Sequence, residues 1–414
     1  MRLKKLIKSG LVIFIVMFIA LLLIAIGVRY EKPLNDWNNK TIKDEVEPDY
    51  SNLYLNNYIP SVKSWDLSDH LVDQQTSINQ YGKEVFLGGL ITGAKVDDRK
   101  IYVGFNSGLI LELSENGKVL KKVPITPLLD EFALDQSNGG VRSFIWIDNE
   151  LVFIYYTSKN QTKDKYYIRA ALIDLKNMIS RDDIKLGEFS SSEHFSLGGG
   201  GFFDNKDNSI FLAIGAAAGA DNLTANAKSQ DSSSFFGKVI KILISKNKSE
   251  LLNPLIFTKG HRNPQGMFYR NNSIFAVEHG PKGGDEINLL YENGNYGWNK
   301  FSYGTKYGKP DESYNHLNSN FIEPIFYFTP SIGISDIDSC PEVLSDPGYK
   351  DCLLISSMKD KSFYIAKLNQ DKRSIQSIER INLGSRIRKI RSSAESMYLF
   401  TDSQSIIKID YDKL

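Results

Sequence analysis

The chain has 414 residues, 42% hydrophobic and 12% aromatic, enough apolar side chain for a large core and too much for a disordered or low-complexity protein. Its formal net charge is +1, with 50 basic residues against 49 acidic ones, so no global field draws in nucleic acid or an anionic membrane surface. Any cationic site must be local.

Residues 1–30 form a separate object. Arg2, Lys4, Lys5 and Lys8 precede an uncharged run, 10–28, close to the roughly 20 residues that a membrane-spanning helix requires. The positive flank stays cytoplasmic, so the pattern predicts a bacterial inner-membrane signal anchor, single-pass, with everything after Arg29 on the periplasmic side. Cleavage is the alternative, since Ala25 and Gly27 form a small-x-small site. Residues 31–50 are polar and aperiodic, as a tether would be, and 51–414 is expected to hold the folded domain.

Beyond the tether one theme recurs. Residues 100–113 (KIYVGFNSGLILEL) read as two strands about a turn at Asn106-Ser107-Gly108, with a third strand after Glu115-Asn116-Gly117. The figure returns at 151–175, 209–244, 273–291, 352–368 and 396–411, with no long stretch of helical periodicity between. Recurrence every roughly 40 to 60 residues marks a β-propeller of four-stranded antiparallel blades, six fitting the length best; a pair of β-sandwiches is the competing architecture. Cys340 and Cys352 flank a turn-rich segment and suit either a disulfide across a hairpin or two buried thiols.

Residues 260–298 contain GHRNPQGM, VEHGPKGGDEINLL and NYGW, and concentrate Arg262, Asn263, Gln265, Glu278, His279, Lys282, Asp285, Glu286 and Asn288 on glycine- and proline-rich turns. A plain hairpin does not need that density of polar groups. The stretch reads as the lining of a cofactor pocket.

These motifs, with TPSIGIS (329–335), SMKDK (357–361) and RIRKIR (386–391), resemble the soluble quinoprotein glucose/sorbosone dehydrogenases, especially their aldose sugar dehydrogenase branch, in order and spacing. The resemblance implies a six-bladed propeller that uses pyrroloquinoline quinone (PQQ) and Ca2+. By the same resemblance Lys359, Arg386 and Arg388 hold the cofactor's carboxylates, which guanidinium forks match because both groups are planar and bidentate. Arg262 and Asn263 match the family's cofactor-contacting pair, Asn138 is a further cofactor contact, and the carbonyls of Gly280 and Pro281 match its calcium ligands. Of Asp285 and Glu286, at least one is expected to brace the loop through backbone N–H groups. His279 reads as a pocket-wall or structural histidine rather than a base.

The implied activity is oxidation of an aldose hydroxyl to a lactone, with hydride passing to the quinone, His194 as general base and Arg262 as electrostatic stabiliser. The substrate would be a small sugar, and electrons would leave to a membrane quinone or cytochrome kept close by the anchor. Departures from the family pattern fall on the early blades. Glu193-His194 in SSEHFSLGGGGFFD resembles the acidic-His pair only with two extra residues before the glycines; an ungapped match puts Ser196 in the histidine's place and Gly200 in that of an arginine. Ala216 and Ala217 replace an acidic and a polar residue, and Asn138-Gly139-Gly140-Val141 departs from Gly-Leu-Leu. These changes motivate an alternative, a non-catalytic propeller that binds the cofactor, a sugar or a partner protein.

Overall fold

The computed structural model describes residues 63–411 except 71–74, 79–83, 88, 98–99, 135–138, 161–164, 191–195, 218–226, 308, 314–319, 342–343 and 345–350. The predicted anchor at 1–30 and the tether at 31–50 lie outside the described residues, and among those described no helix is long and apolar enough to cross a membrane.

Strands form where the apolar runs and turns place them. Lys100–Phe105 and Leu109–Ser114 pair about the Asn106-Ser107-Gly108 turn, and Val119–Pro124 follows Gly117. With Ile91–Val96 they make the first of six four-stranded antiparallel blades among the described residues. The innermost strands of blades 2 to 6 are Val141–Trp146, Gly198–Asp204, Pro264–Arg270, Ile334–Ser339 and Ile387–Ser392. Each lies against the next, and the last against Ile91–Val96, so the six close a ring around a central channel. Blade 6 takes its outermost strand from the other end of the chain: Lys63–Asp66 pairs antiparallel with Ser405–Asp410.

Hydrophobic packing runs between neighbouring blades. Phe153, Tyr155 and Ile168 of blade 2 share one cluster with Leu212 and Ile240 of blade 3. Val103 and Leu111 of blade 1 pack with Leu399's neighbours Tyr398 and Phe400 of blade 6, which seals the ring with apolar contact as well as hydrogen bonds. Cys340 and Cys352 are joined in a disulfide, Cα atoms 5.3 Å apart, that ties the end of one blade 5 strand to the start of the next.

The channel wall carries a repeated irregularity. In every blade the pairing of the innermost strand with its neighbour slips after the first residue, at Thr92, Arg142, Gln265, Ser335 and Arg388, and across Gly199 and Gly200 in blade 3. A bulge of this kind re-aims one side chain and bends the strand. Each blade therefore presents one off-register station at the same level of the channel.

Candidate active site

The polar stretch of blade 4 separates into a buried frame and a channel-facing layer. His261 is fully buried, stacked on Tyr296, with Nε2 2.8 Å from Thr258 Oγ1 and Nδ1 2.9 Å from Glu278 Oε1. Glu278 Oε2 in turn accepts the backbone N–H of Arg262 at 2.8 Å, and Asn288 Nδ2 donates to both Glu278 and Glu286. Burial and the adjacent Glu278 carboxylate push the Glu286 carboxyl well above the usual range. His261, Glu278 and Asn288 thus position the backbone of Arg262 from behind.

Asp285 braces the turn as expected. Its Oδ1 accepts Gly280 N–H at 3.1 Å, and its Oδ2 accepts the N–H groups of Gly333 and Ile334 at 2.7 and 3.0 Å, tying the Gly280-Pro281 turn to blade 5. Gly333 carries Lys359 on its other side, where an added Cβ would come within 2.9 Å of the Lys359 backbone nitrogen. The Lys359 side chain is exposed. One carboxylate therefore fixes the turn bearing Gly280 and Pro281 and the station of Lys359.

The channel-facing layer begins with Arg262. Its Nη1 donates to the His279 carbonyl at 3.1 Å, and its guanidinium lies 5.4 Å from the centre of the Trp298 ring, a cation–π contact. Trp298 packs on Ala216, fully buried, whose N–H donates to the Arg262 carbonyl. The small residue at 216 leaves room for the indole. Asn263 accepts Gly198 N–H and Gln265 Nε2–H through Oδ1, at 3.1 and 2.8 Å, which turns its amide nitrogen toward His279 Nδ1 at 3.3 Å. The proton of His279 accordingly sits on Nε2, a buried atom with no acceptor among the described residues. Burial, reinforced by the charges of Arg262 and Arg388 and opposed by Asp285, lowers the His279 pKa and keeps the ring neutral. A cavity of about 10 Å³, space for one water at most, lies among Arg262, Glu278, His279, Glu286, Trp298 and Ser302.

Blade 6 adds the arginine pair. Arg386 Nε donates to Asp402 Oδ2 at 2.8 Å and Arg388 Nε to Asp402 Oδ1, so one carboxylate orients both guanidinium groups by their inner edges. Burial works against the Asp402 charge, yet Arg388 and Arg386 hold its carboxyl below the usual range. Asp402 has no motif around it, and nothing short of the strand pairing reveals its role.

Blade 3 contributes almost no side chains. Gly200, which the ungapped match sets against an arginine, faces the backbone of Gly266, where a Cβ would approach within 2.9 Å. No side chain fits there. Ser196 adopts φ +56°, and its carbonyl accepts Ala217 N–H. His194 and Asn138 lie outside the described residues.

Residues 94–408 match the family model described as Glucose / Sorbosone dehydrogenase. The chain is similar to the aldose sugar dehydrogenase YliI of Escherichia coli (strain K12), 30% identical over 240 residues, which are 53% of this chain and 60% of that protein. The match thus spans about three fifths of that relative's length. Among solved structures, the apo-form of the soluble aldose sugar dehydrogenase from Escherichia coli superposes with a TM-score of 0.60 at 19% identity, covering 84% of this chain and 99% of that one. The PQQ-bound form of an aldose sugar dehydrogenase from Streptomyces coelicolor gives 0.55 at 16% identity over 84% and 98%. At those identities the structures speak for the fold alone.

Proposed function

The chain belongs to the glucose/sorbosone dehydrogenase family, and from that premise we propose that it oxidises a cyclic aldose to its lactone with PQQ as cofactor and Ca2+ beside it. The observation that carries this reading is the convergence on His279: Asn263 bonds its ring, Arg262 bonds its backbone carbonyl, and Gly280 and Pro281 follow it in the chain.

The donor set suits the cofactor. PQQ bears three carboxylates, and Lys359, Arg386 and Arg388 would hold them, the arginines with Nη edges left over from their bonds to Asp402. Asn138 would add a polar contact. The carbonyl oxygens of Gly280 and Pro281 accept no hydrogen bond from the described residues, as suits a hard cation, and no cluster of three acidic, histidine or cysteine side chains among those residues offers calcium another seat. When bound, the quinone supplies a two-electron acceptor and calcium a Lewis acid.

The protein's own part is positioning and proton transfer. Arg262, pinned by the His279 carbonyl and the Trp298 face, would stabilise negative charge developing beside it. His194 would take the proton of the anomeric hydroxyl as hydride leaves the same carbon. The electron pair would then pass to a membrane quinone or cytochrome, with the apolar run 10–28 as the anchor; membrane fractionation of the full chain against one beginning at residue 31 tests it.

Apo protein given PQQ and calcium is expected to reduce an artificial dye with at least one aldose. His194→Ala should lower kcat about 10²- to 10⁴-fold and leave the PQQ Kd unchanged. If the wild type reduces the dye with no aldose or polyol, the enzymatic reading is lost. The lack of room at Gly200 for the family's arginine favours the second reading, a propeller that binds PQQ without turnover; saturable binding with no dye reduction selects it.

A further inference from the structure

Arg142 occupies in blade 2 the off-register station that Arg388 occupies in blade 6. The two differ in what neutralises them. Arg386 and Arg388 share Asp402, and Lys389 and Arg391, deeper in the channel, share Asp336. Arg142 has no carboxylate among the described residues: its one recorded bond runs from Nη2 to the Gly198 carbonyl at 3.3 Å, and its Nε is buried with no acceptor. A half-buried guanidinium left unpaired is unfavourable unless an anion arrives to meet it. Burial, with the Arg388 charge adding to it, lowers its pKa to about 10, so it stays cationic at neutral pH.

Arg142 is also wired to the candidate site. Its Nη2 bonds Gly198 O, Gly198 N–H bonds Asn263 Oδ1, and Asn263 Nδ2 bonds His279 Nδ1. The chain ends in two N–H donors without acceptors, Arg142 Nε and His279 Nε2. Donors at both ends and an acceptor at neither describe a wall built against an anionic ligand. The neighbouring station, Gly199 and Gly200, has no side chain to compete for that ligand.

We propose that Arg142 is a further cationic contact of the pocket, binding a carboxylate of the bound tricarboxylate jointly with Arg388. The proposal rests on the reading of the pocket as a PQQ site. It also gives the early blades a charge that the glycines of blade 3 do not supply.

The test compares wild type, Arg142→Met and Arg142→Lys as apo proteins, by fluorescence titration with PQQ in millimolar calcium and by thermal melting. Arg142→Met should weaken PQQ binding about 10- to 100-fold, the size of one lost charge-assisted hydrogen-bond set, and Arg142→Lys less. The ligand-free Tm of Arg142→Met should equal or exceed that of wild type, because an unpaired buried charge has gone. A PQQ Kd within about twofold of wild type in Arg142→Met overturns the proposal. So does a ligand-free Tm lowered in both variants, which would mark Arg142 as the partner of a carboxylate within the fold. A calcium-free melt in millimolar citrate separates this inference from the function it rests on. If wild type binds no PQQ, the proposed function fails; a citrate-induced rise in Tm lost in Arg142→Met then keeps the anion contact, and an equal rise in both ends it.

Discussion

Blades 3 and 4 meet at the channel mouth in opposite ways. Blade 4 brings side chains, and nearly every polar group of its 260–298 stretch has a partner: His261 holds Glu278, Glu278 holds the Arg262 backbone, and Asp285 gathers three N–H groups from two blades. Blade 3 brings backbone: a Cβ at Gly199 or Gly201 would strike blade 2, one at Gly200 would strike blade 4, and one at Gly198 would strike the next strand of blade 3 itself. The first arrangement specifies a site by what it bonds. The second specifies it by what it leaves out, and so departs from the family pattern without leaving a hole.

That contrast can be broken most sharply at Asp285. Asp285→Ala strands three buried N–H groups at once and should destabilise the protein by about 3–5 kcal/mol in urea unfolding; a loss under about 1 kcal/mol would mean that the turn is held by something else. Next comes Gly200→Ala, whose new methyl meets the Gly266 backbone. The expected loss is about 1–3 kcal/mol, and a variant as stable as wild type would show that blade 3 tolerates a side chain there after all. The smallest effect belongs to Ser196→Ala. The Ser196 hydroxyl makes no hydrogen bond among the described residues, so stability should change by less than about 0.5 kcal/mol. A dye-reduction rate that collapsed in Ser196→Ala while surviving in His194→Ala would transfer the base's place from 194 to 196.

The propeller was legible because its hairpins advertise themselves: short polar turns between apolar runs, such as Asn106-Ser107-Gly108, Asn271-Asn272 and Asp402-Ser403-Gln404, recur along the chain, and the strands fall where those turns put them. The closing strand was not, since Lys63–Asp66 (KSWD) is largely exposed and an outermost strand needs little apolar patterning. Within the site, Arg262, Asn263 and Asp285 stood out by motif, and Asp285 braces its turn as expected. His261 belongs to the same motif yet serves the core, a distinction visible only in its burial. Asp402 and Arg142 carried no local signal. The first matters through a strand pair, and the second through a bulge that turns one residue of an apparently ordinary apolar strand, Val141–Trp146, out of register.

The strand Lys63–Asp66 also has a temporal meaning. Its partner, Ser405–Asp410, is the last strand of the propeller to leave the ribosome, so five blades and most of a sixth must wait with an open seam before the first strand finds its mate. Closing so long a loop adds little to the equilibrium cost, because loop entropy grows only logarithmically with length, but it delays the final contacts and leaves an unpaired strand edge exposed meanwhile. From residue 382, at the end of blade 5, to residue 410, the growing chain therefore holds the strands of five blades and a seam that nothing yet closes.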